Sequence, residues 1–192
     1  MQKKISFYHP SDDSFLLCDV VEKYLRKFSS LELEKMKVID MGTGSGIQSM
    51  NCLNFGIKKE NLIAIDSNIS AIKHVKILGL NAIKSDLFSN LKESKIKEKF
   101  DLIIFNPPYL PEHKYDKKKD TTGGKKGDET IIRFIKQLKS HLSKKGVCFL
   151  LTSSITPEKI WQFETKKQGF KIKQVAKKTI FYEDLFVWEI KN

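Results

Sequence analysis

The chain has 192 residues, of which 40% are hydrophobic and 10% aromatic. That length and composition suit one domain with a sizeable core, and they exclude a disordered, collagen-like or low-complexity protein. The formal net charge of +12 favours an anionic partner such as nucleic acid or an RNA–protein machine. Only Arg26 and Arg133 are arginines, and arginine is the preferred residue for reading bases. The charge therefore indicates a basic environment more than a dedicated RNA reader.

The cysteines and the amino terminus indicate an intracellular protein. Cys18, Cys52 and Cys148 are far apart and form no CxxC pair, which disfavours both a disulfide framework and a zinc site. The first residues hold no apolar run of signal-peptide length, and no run approaches the roughly 20 apolar residues of a membrane span. We expect a cytoplasmic protein without a membrane partner.

Short apolar runs alternate with helical patterns along the chain. In order, the predicted elements are a helix 12–27, strand 37–41, helix 47–55, strand 61–66, helix 69–78, strands 81–84 and 100–105, a polar loop 110–127, helix 129–142, strand 147–152, helix 157–168 and two β-rich runs, 170–175 and 179–190. Such alternation predicts an α/β fold with a mostly parallel sheet and right-handed crossovers. The last two runs, separated by Lys177 and Lys178, should form an antiparallel hairpin because no helix lies between them.

A glycine-rich turn follows the first predicted strand. The run Asp40-Met41-Gly42-Thr43-Gly44-Ser45-Gly46 leads directly into a helix. Glycines there let the backbone approach a ligand, and the helix start offers free N–H groups. By itself such a turn is weak evidence. A carboxylate at the strand end, however, would repel a pyrophosphate and suits a cationic ligand, which favours S-adenosyl-L-methionine over a dinucleotide.

Two further acids close the second and third predicted strands. Asp66 is placed to accept hydrogen bonds from ribose hydroxyls, although it could equally cap the following helix. Asp86 could accept from an adenine amino group while Leu87 packs on the ring; taken alone, Asp86 fits a turn residue better. These positions gain meaning only from their common place at strand ends.

The run Asn106-Pro107-Pro108-Tyr109 after the fourth strand is the most specific signal. Two prolines fix φ and remove two donors, so the turn presents a rigid row of acceptors. The Asn106 side-chain oxygen and the Pro107 carbonyl can each accept one hydrogen of a planar –NH2 group, and Tyr109 can stack on that group. A simple proline-rich strand cap is disfavoured because three strand-end motifs precede this one in order.

These residues resemble the class I S-adenosylmethionine-dependent methyltransferases with an Asn/Asp/Ser-Pro-Pro-aromatic motif. Within them, the chain is similar to the HemK-like glutamine methyltransferases that modify the GGQ loop of translation release factors, in the short archaeal and eukaryotic branch. The supporting segments are 8–17 (Tyr-x-Pro-x-Asp-Asp-Ser-Phe-Leu-Leu), 123–127 (Gly-Gly-Lys-Lys-Gly), 131–134 and 181–187. The resemblance implies a single Rossmann-like domain over 1–192, with sheet order 3-2-1-4-5-7-6 and an N-terminal helical segment, 1–30, covering the cofactor site.

The resemblance also implies roles for individual residues. The catalytic set would be Asn106, Pro107, Pro108 and Tyr109, with no metal. The S-adenosyl-L-methionine contacts would be Tyr8, Pro10, Ser14, Asp40, Gly42, Thr43, Gly44, Gly46, Asp66, Asp86, Leu87 and Asn106.

The implied partners are a translation release factor as substrate and a small zinc-binding activator. The activator would pair at the edge of strand three, beside the apolar run 77–83. Departures from the family pattern lie near the substrate site: Thr121-Thr122 replaces a common tryptophan, Lys125 replaces a common arginine, and loop 114–126 is rich in lysine. That loop either steers a partner or is simply solvated. His113, near the site, either contacts substrate or is a solvated loop residue.

Two other functions remain open on the sequence. The same Asn106 motif would serve an RNA or DNA amino-group methyltransferase acting on adenine N6 or guanine N2. Alternatively, the chain is a non-catalytic scaffold subunit, a reading that the intact motif at 106–109 disfavours.

Overall fold

The fold is built on one seven-stranded sheet. The computed structural model describes residues 7–91, 99–112 and 122–192, so His113 and the lysines at 114–119 lie outside the described residues. The elements are α1 Asp12–Leu25, α2 Ser30–Lys35, β1 Val38–Met41, α3 Ile47–Asn54, β2 Leu62–Asp66, α4 Ile69–Ile77, β3 Ala82–Lys84, β4 Phe100–Phe105, α5 Glu129–His141, β5 Leu142–Ser153, α6 Glu158–Lys167, β6 Lys171–Thr179 and β7 Asp184–Lys191.

The strand order confirms the predicted topology. The sheet runs β3-β2-β1-β4-β5-β7-β6. The first five strands are parallel, and β7 is antiparallel to both β5 and β6. Asp40 lies opposite Ala64 of β2 and Ile104 of β4, so the turns after β1, β2 and β4 meet at one edge. Ligands bind at this carboxyl edge in open α/β sheets.

The core forms on both faces of the sheet because alternate strand residues point to opposite sides. Val38 packs with α1 and α3 on one face, whereas Ile39 packs with α5 and α6 on the other. Both side chains are fully buried. This two-sided burial explains the continuous apolar runs of the central strands and fixes the sheet as a rigid support for its edge.

The C-terminal hairpin departs from the predicted boundaries. Lys177 and Lys178, expected to separate two runs, lie within β6, and the turn falls at 180–183. Residues of this edge strand are mostly exposed, so lysines can occupy it without being buried. Because these lysines interrupt the apolar pattern, that pattern does not predict the full length of the strand. Strand β5 also begins earlier than predicted, because Leu142 pairs with Phe100 ahead of a register shift. The other predicted boundaries agree within two residues.

Two features were absent from the prediction. Helix α2 starts with a capping box in which Ser29 and Glu32 bond reciprocally. Within the predicted polar loop, Leu110–Pro111 and Thr122–Gly124 pair as short parallel strands. No helix among the described residues combines the length and apolarity needed to cross a membrane.

Candidate active site

A cavity of about 700 Å³ opens at the carboxyl edge of the sheet. The predicted residues that line it are Tyr8, Ser14, Asp40, Gly42, Thr43, Gly44, Asp66, Asp86, Leu87, Asn106, Pro107, Pro108 and Tyr109. Pro10 and Gly46 are not among its lining residues. A Cβ on Gly46 would lie 3.0 Å from the Val75 side chain, so this glycine permits close packing against α4.

The glycine turn has a backbone conformation that favours glycine. Gly42 and Gly44 have φ values of +66° and +51°, in the left-handed region where a Cβ is strained. The Gly44 amide donates to Asp66 Oδ2 at 2.9 Å. A Cβ on Gly42 would lie 3.3 Å from the Phe105 ring. The turn is thus fixed between the ends of β2 and β4.

Asp40 is the buried acid beneath this turn, with 2% of its surface exposed. Its Oδ2 accepts from Thr43 Oγ1 at 2.7 Å and from Ser49 Oγ at 2.6 Å. Burial raises the pKa of Asp40 to about 6 although these hydrogen bonds act to lower it. A cation in the cavity would favour the ionised form.

Asp66 organises the end of β2. Its Oδ1 accepts from the Asn68 amide at 2.7 Å, in addition to the Gly44 bond to Oδ2. The side chain that caps α4 is Asn68, which accepts from the Ser70 amide at 2.9 Å. The capping role considered for Asp66 therefore belongs to Asn68.

Asp86 forms an ion pair with Arg133 of α5. Both side chains are about half exposed, so the pair contributes little to stability but sets where the carboxylate lies. Leu87 follows with φ of +52° and a buried side chain. A positive φ on a branched residue signals a constrained turn, and both residues line the cavity. Arg133 was not among the predicted site residues.

Asp13 is the centre of a hydrogen-bond network that includes Asn106. Its Oδ2 accepts from Asn106 Nδ2 at 3.1 Å, Tyr8 OH at 2.9 Å and Tyr109 OH at 3.3 Å. Because the amide nitrogen of Asn106 is engaged, its Oδ1 is left as the free acceptor; this oxygen is buried and has no hydrogen-bond partner within the described part of the chain. A buried acceptor without a donor is costly unless a ligand supplies one.

Asp13 was not predicted as a site residue. Acids in a first helical turn are common because they favour the helix dipole, so its neighbour Asp12 looks equivalent. The signal that could have identified Asp13 is its position on the helix. It lies four residues before Leu17 and eight before Val21, so it shares a helix face with these two fully buried residues. A carboxylate on the buried stripe requires donors, which Tyr8, Asn106 and Tyr109 supply.

The glycines at 123–127 support the backbone of residues 106–109. A Cβ on Gly123 would lie 2.5 Å from the Pro108 carbonyl oxygen, and one on Gly127 would lie 2.5 Å from that of Tyr109. Thr156 Oγ1 donates to the same Tyr109 oxygen at 3.2 Å. The segment thus holds the proline turn by close backbone packing.

The cavity is acidic although the chain is basic. Of the described residues that line it, Arg133 alone is cationic, against six carboxylates: Asp13, Asp40, Asp66, Asp86, Glu112 and Glu183. A negative cavity attracts a cationic ligand and repels a polyanion.

The sheet order, with an acidic glycine turn after β1 and the Asn106 motif after β4, defines a class I methyltransferase. The family model described as the methyltransferase small domain matches residues 19–182, and the chain belongs to that family. It is an S-adenosylmethionine-dependent methyltransferase.

Several known proteins align with most of this chain. A Methanocaldococcus jannaschii protein, provisionally named a protein N5-glutamine methyltransferase, is 34% identical over 94% of this chain and 89% of its own. The eRF1 methyltransferase catalytic subunit mtq2 of Schizosaccharomyces pombe is 27% identical over 95% and 88%. The solved E. cuniculi Mtq2–Trm112 complex has a TM-score of 0.74 at 23% identity, covering 97% of this chain and 98% of that one, which shows the shared fold.

The residues present fit S-adenosylmethionine. The cofactor carries a sulfonium and an ammonium, and Asp40 lies buried where a cation would stabilise its charge. Asp66 and Asp86 lie at the next two strand ends, and the turn at 42–44 leaves room for close approach.

Proposed function

We propose that this methyltransferase acts on the side-chain amide nitrogen of a glutamine in a translation release factor. The observation that carries the proposal is the buried Asn106 Oδ1, which has no hydrogen-bond partner among the described residues and belongs to the same cavity-lining turn as Pro107. Two acceptors on a rigid turn suit the two hydrogens of a planar –NH2 group. Support comes from relatives whose names assign them glutamine or eRF1 methylation.

S-adenosylmethionine supplies the methyl group when bound. In this proposal Asp40 and the backbone at 42–44 hold its methionine end, Asp66 the ribose, and Asp86 with Leu87 the adenine. The segment 1–30 is proposed as the cover of this site, and the structure describes it from residue 7. Support comes from Tyr8, whose carbonyl oxygen lies 3.5 Å from the position of a Cβ on Gly44.

The protein acts on the amide by orientation and polarisation. Asn106 Oδ1 and the Pro107 oxygen accept from the substrate –NH2 and stabilise the positive charge that develops on nitrogen. Burial and the Asp13 charge raise the pKa of the Tyr109 hydroxyl far above its ordinary value, so Tyr109 stays neutral and is no general base. The substrate proton leaves to water.

Methylation of an RNA or DNA amino group is the second candidate because the net charge of +12 favours nucleic acid. The carboxylates among the described cavity residues oppose it, since they would repel phosphates that a flipped base brings near them. The protein substrate is therefore preferred.

A small zinc-binding activator is proposed at the β3 edge. Strand β3 pairs with β2 and forms the end of the described sheet, and nearby Ile77 and Leu78 are 84% and 45% exposed. An uncovered edge beside apolar side chains invites strand addition. The E. cuniculi relative was solved with Trm112, which supports a partner of this kind.

The test incubates the protein, alone and with such an activator, with methyl-labelled cofactor and either a release factor or bulk RNA. We expect label in the release factor and background levels in RNA. Label confined to RNA would overturn the protein-substrate proposal. Label in neither, with the cofactor bound, would favour the scaffold subunit.

A further inference from the structure

The turn between β6 and β7 presents two aromatic side chains to solvent. Phe181 is 99% exposed and Tyr182 is 95% exposed. Single exposed apolar residues are ordinary, but adjacent aromatic side chains with almost their whole surface in water mark a contact site. We call Phe181 and Tyr182 the hairpin tip.

The tip is mounted on a fixed turn. The Ile180 amide donates to the Glu183 carbonyl at 2.9 Å, and the Ser154 amide donates to the Asp184 carbonyl at 2.8 Å. Glu183 also accepts from Ser153 Oγ. A preorganised turn presents its side chains with little entropy left to lose on binding.

The tip borders the candidate active site. Glu183, the next residue, lines the cavity, and its charge contributes to the raised pKa of Tyr109. On the adjacent loop, Ile155 is 45% exposed and Thr156 holds the Tyr109 carbonyl. A macromolecule that places a side chain against Asn106 therefore passes beside the tip.

We propose that the hairpin tip is the docking surface for the body of the protein substrate, outside the glutamine loop that enters the cavity. This inference rests on the proposed function. Aromatic residues dominate the energetics of protein contacts when they become buried. They can also stack on bases, but the described residues of the cavity that the tip borders include six carboxylates and one cation, so a protein surface with an apolar patch is the fitting occupant.

The test compares F181A/Y182A with the wild-type protein on an intact release factor and on a short peptide containing its glutamine. We expect KM for the intact factor to rise about tenfold or more, as for lost hot-spot contacts. For the peptide, kcat and KM should stay within about twofold, because the peptide reaches the cavity without the tip. Cofactor affinity should be unchanged.

Phe163 provides the matched control because it is a 67% exposed phenylalanine on α6 that does not line the cavity. F163A should behave as wild type on both substrates. An unchanged KM of F181A/Y182A for the intact factor, or equal losses on factor and peptide, would overturn the docking surface. If the wild-type protein methylates neither substrate, the proposed function itself fails, and the two failures are distinguished.

Discussion

At the residue scale, the proposed catalysis depends on the orientation of the Asn106 side-chain amide. Asn106 Nδ2 donates to Asp13 Oδ2, and this bond makes Oδ1 the acceptor left for a substrate. Asp13 also holds Tyr8 and Tyr109, so one carboxylate connects the proposed cofactor cover to the proline turn. We propose Asp13 as a positioning residue because its hydrogen bonds with Asn106 and Tyr109 fix the orientation of both side chains.

Replacing Asp13 by asparagine removes the charge and places an amide against the Asn106 amide. We expect D13N to lower kcat at least about tenfold while cofactor affinity changes less, since the lost interaction acts on the reacting group. Burial and, after it, the Asp13 charge raise the pKa of both Tyr8 and Tyr109. Only the second contribution is lost in D13N, so both pKa values should fall part of the way towards the ordinary tyrosine value, which a phenolate absorbance titration measures.

The neighbouring acid gives the control. Asp12 is exposed and pairs with Lys178 outside the cavity, so D12N should retain wild-type kcat and an unchanged tyrosine titration. Equal loss in D12N and D13N would assign the effect to helix α1 and contradict the positioning role.

The raised pKa of Asp40 predicts that cofactor binding depends on pH. Its pKa is raised from 3.8 to about 6 by burial, so in the free protein it becomes protonated as the pH falls through 6. Binding of the cationic cofactor should therefore weaken below that pH. Calorimetric titration of S-adenosylmethionine between about pH 5 and 8 tests this sign, because an aspartate with the ordinary pKa of about 3.9 stays ionised over that whole range.

The same shift has a consequence for folding. A group whose folded pKa is raised stabilises the protein at low pH, and that contribution is lost as the pH rises through the folded value. In D40N, both the binding and the stability dependence around pH 6 should flatten. A wild-type protein that binds cofactor equally at all these pH values would contradict the role of Asp40.

Sequence reasoning located strand-end acids and the Asn106 motif, since their residue types limit what they can do. The structure brings Asp40, Asp66, Asp86 and Asn106 into one cavity. The sequence alone does not single out Asp13 or Arg133, because both look like ordinary charged residues of a helix. Their hydrogen-bond partners lie 93 and 47 residues away along the chain.

At the element scale, the glycine segment 123–127 acts as a support for the proline turn. Gly123→Ala would place a Cβ within 2.5 Å of the carbonyl oxygens of both Gly127 and Pro108, so the glycine segment and the proline turn that packs against it must shift. Small displacements of reacting groups cost large factors in rate, and we expect G123A to lower kcat at least about tenfold. Steady-state kinetics with a glutamine peptide provide the measurement.

A substitution at Gly56 serves as the control for G123A, because it distinguishes a local clash at the site from a general loss of stability. It has φ of +103°, and a Cβ there would lie 4.0 Å from Leu33, so G56A introduces backbone strain of about 1 kcal/mol away from the site. G56A should lower the melting temperature but retain kcat. If G123A retained wild-type kcat, the supporting role would be excluded.

The elements that were predicted well are those whose burial dominates their sequence. Strand β4 was predicted at its observed bounds because almost all of its residues are buried. Strand β6 was shortened in the prediction because its exposed lysines follow no apolar pattern. The pairing of Leu110–Pro111 with Thr122–Gly124 depends on contacts across the chain, which local patterns do not encode.

At the scale of the whole molecule, charge is divided between surface and cavity. The chain carries +12, whereas six carboxylates face one guanidinium among the described cavity residues. The basic surface can speed encounter with an anionic partner, but the acidic cavity suits the cationic cofactor and the neutral amide of the proposed substrate. Net charge alone therefore pointed to the less suitable substrate.

The β3 edge is the proposed interface with a small zinc-binding activator, and a substitution beside this edge tests the assignment. Ile77→Asp places a charge on an 84% exposed apolar position and should abolish co-purification with a small zinc-binding activator, because a buried unpaired charge opposes association. Leu31, 71% exposed on α2, gives the control L31D, which should still pair. Retained pairing by I77D would exclude this edge as the interface.

In the proposed reaction Asn106 holds the substrate amide for methylation, and substitution of Asn106 tests this role directly. Wild-type protein and N106A would each be incubated with S-adenosylmethionine and a release factor, and the site of added methyl mapped by mass spectrometry. We predict one methyl on the glutamine side-chain nitrogen with wild type, and a rate at least about 100-fold lower with N106A, as for removal of one preorganised stabilising group. Methylation at another atom, or undiminished transfer by N106A, would contradict the account.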